Sequence, residues 1–183
     1  MSIYAEILNR ASEGRLFALP PLMPPEPGNA PRHIYVSPEI NALCNTGPWK
    51  DSKWMARCME LRAALDRFSQ GGLIPVAARP FIGGKRSYMR QLFRWREEVW
   101  EIRSRDEPGI RVLGRFADTD LFIALAWYLR ADLLQLQSRQ WRDAIIRCKT
   151  DWRNLFPAYP PRSAEGSNAA YPDDYISANT ILV

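Results

Sequence analysis

Three consecutive segments with the character of β-strands constrain the fold of this chain more than any other feature. Residues 98–105 and 110–118 alternate apolar with polar side chains, which is typical of strands. Residues 121–129 are continuously apolar, as expected of a strand that is buried on both faces. Short segments rich in Asp, Gly and Pro separate the three, and such residues form turns. The pattern predicts a meander of three antiparallel strands.

Two helices are predicted, one before and one after the meander. Residues 51–70 carry large apolar side chains at i, i+4, i+7, i+11 and i+14, and Asp51 or Ser52 can cap the first turn. Residues 138–155 repeat the same spacing behind Ser138, which can serve as the second N-cap. Each helix therefore has one apolar stripe, and we expect both to pack against the sheet.

The segments between the first helix and the meander give weaker signals. Residues 73–82 contain two short extended pieces broken by Pro75 and Pro80, which favours an edge strand because proline cannot donate to a ladder. Residues 87–95 fit either a strand or a helical turn.

Proline sets the expectation for both ends of the chain. Residues 20–48 hold eight of the 15 prolines, so we expect no long helix or central strand there, but an ordered extended arm or a disordered one. The tail ends in the apolar run Ile181–Val183, which is typical of a strand that docks on a partner or a second copy, or of a frayed terminus. The expected organisation is a Pro-rich arm (1–50), an α+β domain (51–156) and a tail (157–183) rich in Pro, Ser and Asn.

Composition excludes several classes of function. No stretch approaches the roughly 20 apolar residues of a membrane helix, and the first residues do not resemble a secretion signal. Cys44, Cys58 and Cys148 are widely spaced, as expected of free thiols in a reducing cytosol. His33 is the single histidine, and the Walker, GxSxG, CxxC and HExxH patterns are absent. We expect a cytoplasmic protein without metal or cofactor.

Positive charge is concentrated in one central block. Residues 53–115 carry fourteen basic and seven acidic side chains, whereas the rest of the chain carries eleven basic and thirteen acidic ones. Of the 25 cations, 21 are arginine, whose planar guanidinium suits phosphate and stacks on bases. A concentrated basic face typically binds nucleic acid or an acidic partner. The alternative is a solvated surface in an arginine-rich composition.

Several of these arginines are predicted to meet on one face of the meander. They are Arg103, Arg111, Arg115 and Arg130. Arg103 and Arg111 can lie opposite each other across the turn that joins their strands. Converging guanidinium groups repel one another unless an acid or an anion lies between them. Either Glu101 and Asp106 neutralise the group, or the arginines form a cradle that holds a phosphate and stabilises its developing charge.

The order of elements over about residues 55–155 resembles the RelE/ParE superfamily of bacterial toxins. The resemblance rests on WEIR (100–103) before a turn, GIRVLGRF (109–116), an apolar strand that ends in the basic Arg130, and WRDAIIRCK (141–149) in the last helix. It implies a small antiparallel β-sheet flanked by an N-terminal and a C-terminal helix.

The resemblance also implies an activity. Such toxins either cut mRNA in the ribosomal A site without a metal ion or inhibit DNA gyrase, and a cognate antitoxin neutralises them. Arg111 and Arg130 match the arginines that stabilise the transferring phosphate. The side chains expected to hold RNA are Lys85, Arg86, Arg90, Arg103 and Arg115. Val99 and Glu101 replace the family's lysines and Trp141 replaces its aromatic hydroxyl, so no general base is identified.

Three functions remain open from the sequence. The first is a RelE-like endoribonuclease that acts on RNA at the ribosome and is held in check by an antitoxin protein. The second is a non-catalytic inhibitor, for example one encoded by a mobile element, whose basic face blocks gyrase or a host-defence protein. The third is a component of a larger assembly, with self-association through the C-terminal tail. The resemblance favours the first function, and the missing base favours the second.

Overall fold

The computed structural model describes residues 2–45, 51–77, 87–92, 95–104, 109–163 and 172–183. Within these ranges lie four α-helices: α1 (Ile3–Ser12), α2 (Pro38–Asn45), α3 (Ser52–Ser69) and α4 (Arg139–Leu155). The same ranges contain eight strands: β1 (Phe17–Ala18), β2 (His33–Val36), β3 (Ile74–Ala77), β4 (Met89–Gln91), β5 (Trp100–Arg103), β6 (Ile110–Asp118), β7 (Leu121–Leu129) and β8 (Thr180–Leu182). Short 3-10 helices at Trp95–Glu97 and Pro172–Asp174 precede β5 and β8.

All eight strands form one mixed sheet in the order β1-β2-β7-β6-β5-β4-β3-β8. The predicted meander is confirmed, because β5, β6 and β7 are antiparallel neighbours. The α+β class is also confirmed. The small antiparallel sheet is wrong, because β2 pairs with β7 in parallel and β3 pairs in parallel with both β4 and β8. The segments on either side of the expected domain thus widen the sheet.

Helices cover both faces of this sheet. The α3 face is packed by α2 and α3, with Leu61 and Phe68 of α3 fully buried among the apolar side chains of the strands. The opposite face, called the α4 face, is packed by α1 and α4, with Trp141 and Trp152 buried against it. Burial of a side chain such as that of Leu61 or Phe68 contributes about 1.5–3 kcal/mol relative to exposure. Both predicted helices therefore pack against the sheet through their apolar stripes, as expected.

The helix ends follow from local chemistry. The Asp51 side chain accepts a hydrogen bond from the Trp54 amide at 2.7 Å, and the Ser138 hydroxyl accepts one from the Trp141 amide at 3.2 Å. Both are N-caps of the predicted kind. At the other end of α3, Gly71 has a φ of +70°, a conformation that glycine adopts without strain.

The proline-rich segment contains regular structure, contrary to expectation. β2 lies between β1 and β7 and is therefore an internal strand, and α2 follows it directly. No proline falls within β2, and Pro38 occupies the first position of α2, where a missing amide hydrogen costs little. The prolines delimit these elements instead of preventing them, so the expectation that no internal strand fits there is wrong.

The segment around Pro75 is also not at an edge. β3 lies between β4 and β8, and the Pro75 carbonyl accepts a hydrogen bond from the Tyr88 amide at 2.8 Å. The ambiguous segment that follows forms β4. The apolar end of the tail docks as β8 on the chain's own sheet.

Candidate functional site

Strand register gathers charged side chains on the α4 face. Arg90 of β4 lies opposite Glu101 of β5, and Arg103 of β5 lies opposite Arg111 of β6, as expected from the turn between them. Arg111 in turn lies opposite Tyr128 of β7. Directly opposite residues share a face of the sheet, and so do residues two apart on one strand. Four adjacent strands therefore present these side chains together.

We call Arg90, Arg103, Arg111 and Arg130 the arginine cluster. Glu101 lies at its centre with a fully buried side chain (0% exposed). Its carboxylate oxygens are 2.6 Å from Nη2 of Arg90, 3.6 Å from Nε of Arg103 and 3.8 Å from Nε of Arg111. Glu101 thus neutralises part of the cluster, as one interpretation of the sequence predicts; Asp106, the second acid of that interpretation, lies outside the described residues. One carboxylate faces three guanidinium groups, however, so these contacts leave an excess of positive charge.

Arg111 is the most deeply buried member of the cluster, with 9% of its side chain exposed. Its Nη1 donates to the carbonyls of Ile110 at 2.9 Å and Ser104 at 3.3 Å. Burial lowers the pKa of Arg111 to about 10; Glu101 opposes this shift, and the other three members of the cluster add to it. Arg111 stays charged at neutral pH, although its surroundings disfavour the charged form. A bound anion would stabilise that charged form.

The remaining members border Arg111 on both sides. Arg103 donates to the Ser87 hydroxyl at 3.0 Å, and burial lowers its pKa as well. Arg130 follows the end of β7, is half-buried, and donates to the Leu134 carbonyl. The positive charge of Arg130 lowers the pKa of both Arg103 and Arg111. Arg130 therefore belongs to the same electrostatic site.

Tyr128 supplies a hydroxyl group beside the cluster. It is half-buried, and burial raises its pKa, while the charge of Arg147 on α4 lowers it. The Arg147 guanidinium lies 6.0 Å from the centre of the Tyr128 ring and 2.6 Å from the carboxylate of Glu39 on α2. No local pattern in the sequence predicts this link to α2.

Arg115, expected to hold RNA, lies on the α4 face but has other partners. Its guanidinium donates to the carbonyls of Glu97 at 2.6 Å and Glu98 at 3.3 Å and lies 5.5 Å from the ring centre of Trp152. Burial lowers its pKa, and the cluster members are not among the charges that shift it. Arg115 thus joins α4 to the sheet. Lys85 and Arg86 lie outside the described residues.

Arg32 and Glu98 are among the buried polar residues that the sequence pattern did not indicate. Arg32 donates to the carbonyl of Ala178 at 2.7 Å and that of Gly72 at 3.2 Å, which ties the proline-rich segment to the tail. Glu98 accepts hydrogen bonds from the Tyr175 hydroxyl at 2.5 Å and from Nε2 of Gln91 at 3.2 Å. Each group has a hydrogen-bond partner that is distant in sequence, so no local pattern predicts its burial.

The chain matches no model of a protein family, no curated protein and no solved structure. No helix in the described part of the chain has the length and apolar composition needed to cross a membrane. Among the same residues, no group of three or more His, Cys, Asp or Glu side chains could hold a metal ion. The chemistry that the site offers is the binding of an anion by guanidinium groups.

Proposed function

We propose that the protein is a RelE-like toxin that binds RNA across the arginine cluster and cleaves ribosome-associated mRNA without a metal ion. The observation that carries the proposal is the charge ratio at Glu101, where three guanidinium groups lie within 4.0 Å of one buried carboxylate. Partly buried guanidinium groups that converge in this way favour a polyanion as ligand. The order of elements along the sequence over about residues 55–155, which resembles that family, supports the same function.

The width of the cluster fits a short stretch of RNA. From β4 to β7 there are three spacings of about 4.8 Å, or roughly 14 Å. At the rise of about 3.4 Å per stacked nucleotide this corresponds to about four nucleotides. We place the scissile phosphate at Arg111 and Arg130, and the flanking phosphates at Arg90 and Arg103. Guanidinium groups so arranged would stabilise the extra negative charge of the transition state.

Cleavage also requires the transfer of a proton. The 2′-oxygen attacks the phosphorus and releases its proton to water, and the 5′-oxygen leaves and must receive a proton. Tyr128 lies opposite Arg111 and carries a hydroxyl that remains protonated at neutral pH, because burial raises its pKa. We assign Tyr128 the role of general acid.

A second candidate function is supported by Glu101 itself. Its carboxylate already occupies the space between Arg90, Arg103 and Arg111, as an ion-paired binding surface would require. A protein of this kind would bind nucleic acid or an acidic partner such as gyrase without any cleavage. The proposed toxin would have a cognate antitoxin protein as a further partner.

Regulated expression in bacteria separates the two. The wild type is compared with the double variant Arg111→Ala/Arg130→Ala and with Arg57→Ala, which removes one arginine from α3 on the opposite face. Growth arrest with new mRNA 5′ ends in coding regions, abolished only by the double variant, is the expected result. Arrest without new ends would support the non-catalytic inhibitor. Normal growth with all three proteins would contradict both functions.

A further inference from the structure

The two edges of the sheet differ in how they are protected against pairing with another strand. β1 is two residues long and runs into Pro20 and Pro21, which have no amide hydrogen to offer another strand. The segment from residue 175 to residue 183, which contains β8, has neither a proline nor a charged side chain. Among the described strands none lies outside β8. β8 is also short, at three residues, but this edge has none of the prolines and charged side chains that natural sheets use against pairing with another chain.

The direction of the free backbone groups follows from the pairing with β3. The Asn179 carbonyl accepts from the Ile74 amide at 2.9 Å, and the Val183 amide donates to the Val76 carbonyl at 3.1 Å. Alternate residues of a strand direct their amide and carbonyl groups to opposite edges. Residues 179, 181 and 183 therefore face β3.

Thr180 and Leu182 consequently direct both an amide and a carbonyl group outward. Their spacing is self-complementary in an antiparallel pair, since two such residues exchange two hydrogen bonds. If Thr180 of one copy pairs with Leu182 of another, the reverse pair forms as well, and four hydrogen bonds result. The twofold axis of this arrangement passes beside Ile181, whose exposed fraction is 47%. Ile181 would then face its own counterpart in the second copy.

We propose that β8 pairs with β8 of a second copy of this chain, antiparallel about Ile181, so that two sheets become one. The exposed apolar side chains agree with this, because Leu182 is 60% exposed and Ile181 nearly half exposed in the single chain. Four backbone hydrogen bonds and one small apolar contact make a weak dimer, with a dissociation constant in the micromolar to millimolar range. The pairing does not depend on the arginine cluster.

The dimer would bring the two arginine clusters onto the same face. The twofold axis of an antiparallel pair is perpendicular to the sheet, so it preserves the faces of both copies. Arg90 lies on β4, which β3 separates from β8. Five strand spacings of about 4.8 Å then separate the two β4 strands, or roughly 24 Å. One RNA strand could contact both clusters.

Sedimentation equilibrium over a wide concentration range tests the dimer, with two variants of one residue. Leu182→Pro removes the outward amide hydrogen and leaves the bonds to β3, because Leu182 faces away from β3. Leu182→Ala shortens the same side chain and keeps the amide. We expect the wild type and Leu182→Ala to dimerise, and Leu182→Pro to raise the dissociation constant at least tenfold. A wild type that stays monomeric at millimolar concentration would overturn the proposal.

Hydrogen exchange gives an independent reading at the level of single amides. Protection of the Thr180 and Leu182 amides should rise with protein concentration, whereas that of the Ile181 amide, which faces β3, should not. Protection that is independent of concentration at all three amides would refute the pairing. Should Leu182→Pro lower the midpoint of unfolding, Ile181→Asp replaces it, because it places like charges at the twofold axis and keeps the backbone intact.

Discussion

Arg32 and Arg111 are both buried, with 4% and 7% of their surface exposed, but their surroundings differ in charge. Arg32 donates to backbone carbonyls of two segments and lies 3.8 Å from the carboxylate of Asp120. It is thus one cation with its own acid and several neutral acceptors. Arg111 shares the single carboxylate of Glu101 with two other arginines.

On this difference we base the distinction between Arg32 as a structural arginine and Arg111 as the proposed ligand-binding one. Neutral carbonyls satisfy the donors of Arg32, and its positive charge has a counterpart, so a bound anion would add little. Around Arg111, by contrast, the buried Nε has no hydrogen-bond partner, and one carboxylate faces three guanidinium groups. A buried guanidinium alone indicates nothing about function. The local ratio of cations to acids is more informative, because an excess of cations favours an anionic ligand.

The largest effect is expected for Glu101→Gln, which removes the acid from the cluster and keeps its shape. Loss of one partner of a buried ion pair costs about 3–5 kcal/mol of unfolding free energy, because the arginines then repel one another without compensation. Urea denaturation measures the loss. Added phosphate should restore stability to this variant more than to the wild type, and an equal response of both would contradict the excess of charge.

Arg32→Ala should cost about 3 kcal/mol of unfolding free energy, because it leaves buried carbonyls without donors. Its effect on RNA binding by the folded protein should be nil, since the cluster lies elsewhere. Arg32→Lys is the matched control, which keeps the charge but cannot reach several carbonyls at once, and should fall in between. A lower RNA affinity of folded Arg32→Ala would remove the distinction between the two environments.

Arg130→Ala should show the reverse pattern. Because Arg130 is half-buried, its loss should change the unfolding free energy by less than about 0.5 kcal/mol. The affinity for a short RNA should nevertheless fall several-fold, as measured by fluorescence anisotropy at low salt. Arg57→Ala carries the same change of net charge on the α3 face and should bind RNA as the wild type does. Equal losses for the two variants would mean that only net charge matters.

The smallest effect is expected at Glu98, which lies next to Arg115 and outside the cluster. Burial raises the pKa of Glu98, against the hydrogen bonds from Tyr175 and Gln91 and the charge of Arg115. The folded state therefore favours the protonated acid, so its contribution to stability is greatest below the unfolded pKa of about 4.3 and declines as pH rises. Glu98→Gln should flatten this decline in thermal melts between acidic and neutral pH. A steeper decline would contradict the direction of the shift.

The parts of the fold that local sequence determines were predictable. The Asp51 and Ser138 caps, the two apolar stripes and the register of Arg103 against Arg111 all depend on residues close in sequence. The parallel pairing of β2 with β7 was not predictable, because its partners are almost ninety residues apart and the prolines around β2 suggested a different structure.

Prediction of the candidate site from the sequence has the same limit, because contacts between distant residues are not visible in it. Alternation placed Arg111 and Arg115 on one face, but it could not show that Arg115 lies against Trp152 of α4. The neutralising role of Glu101 was one of two sequence alternatives. Its complete burial among three arginines depends on β4, a strand whose existence the sequence left undecided.

The salt dependence of RNA affinity tests the central claim most directly. The logarithm of affinity falls with the logarithm of salt concentration, with a slope of about −0.7 for each phosphate contact to a single strand. For Arg111→Ala/Arg130→Ala we predict a slope that is shallower than that of the wild type by about 1.4, since two phosphate contacts are lost. Arg57→Ala should keep the slope of the wild type. Identical slopes for all three proteins would mean that the arginine cluster does not bind RNA.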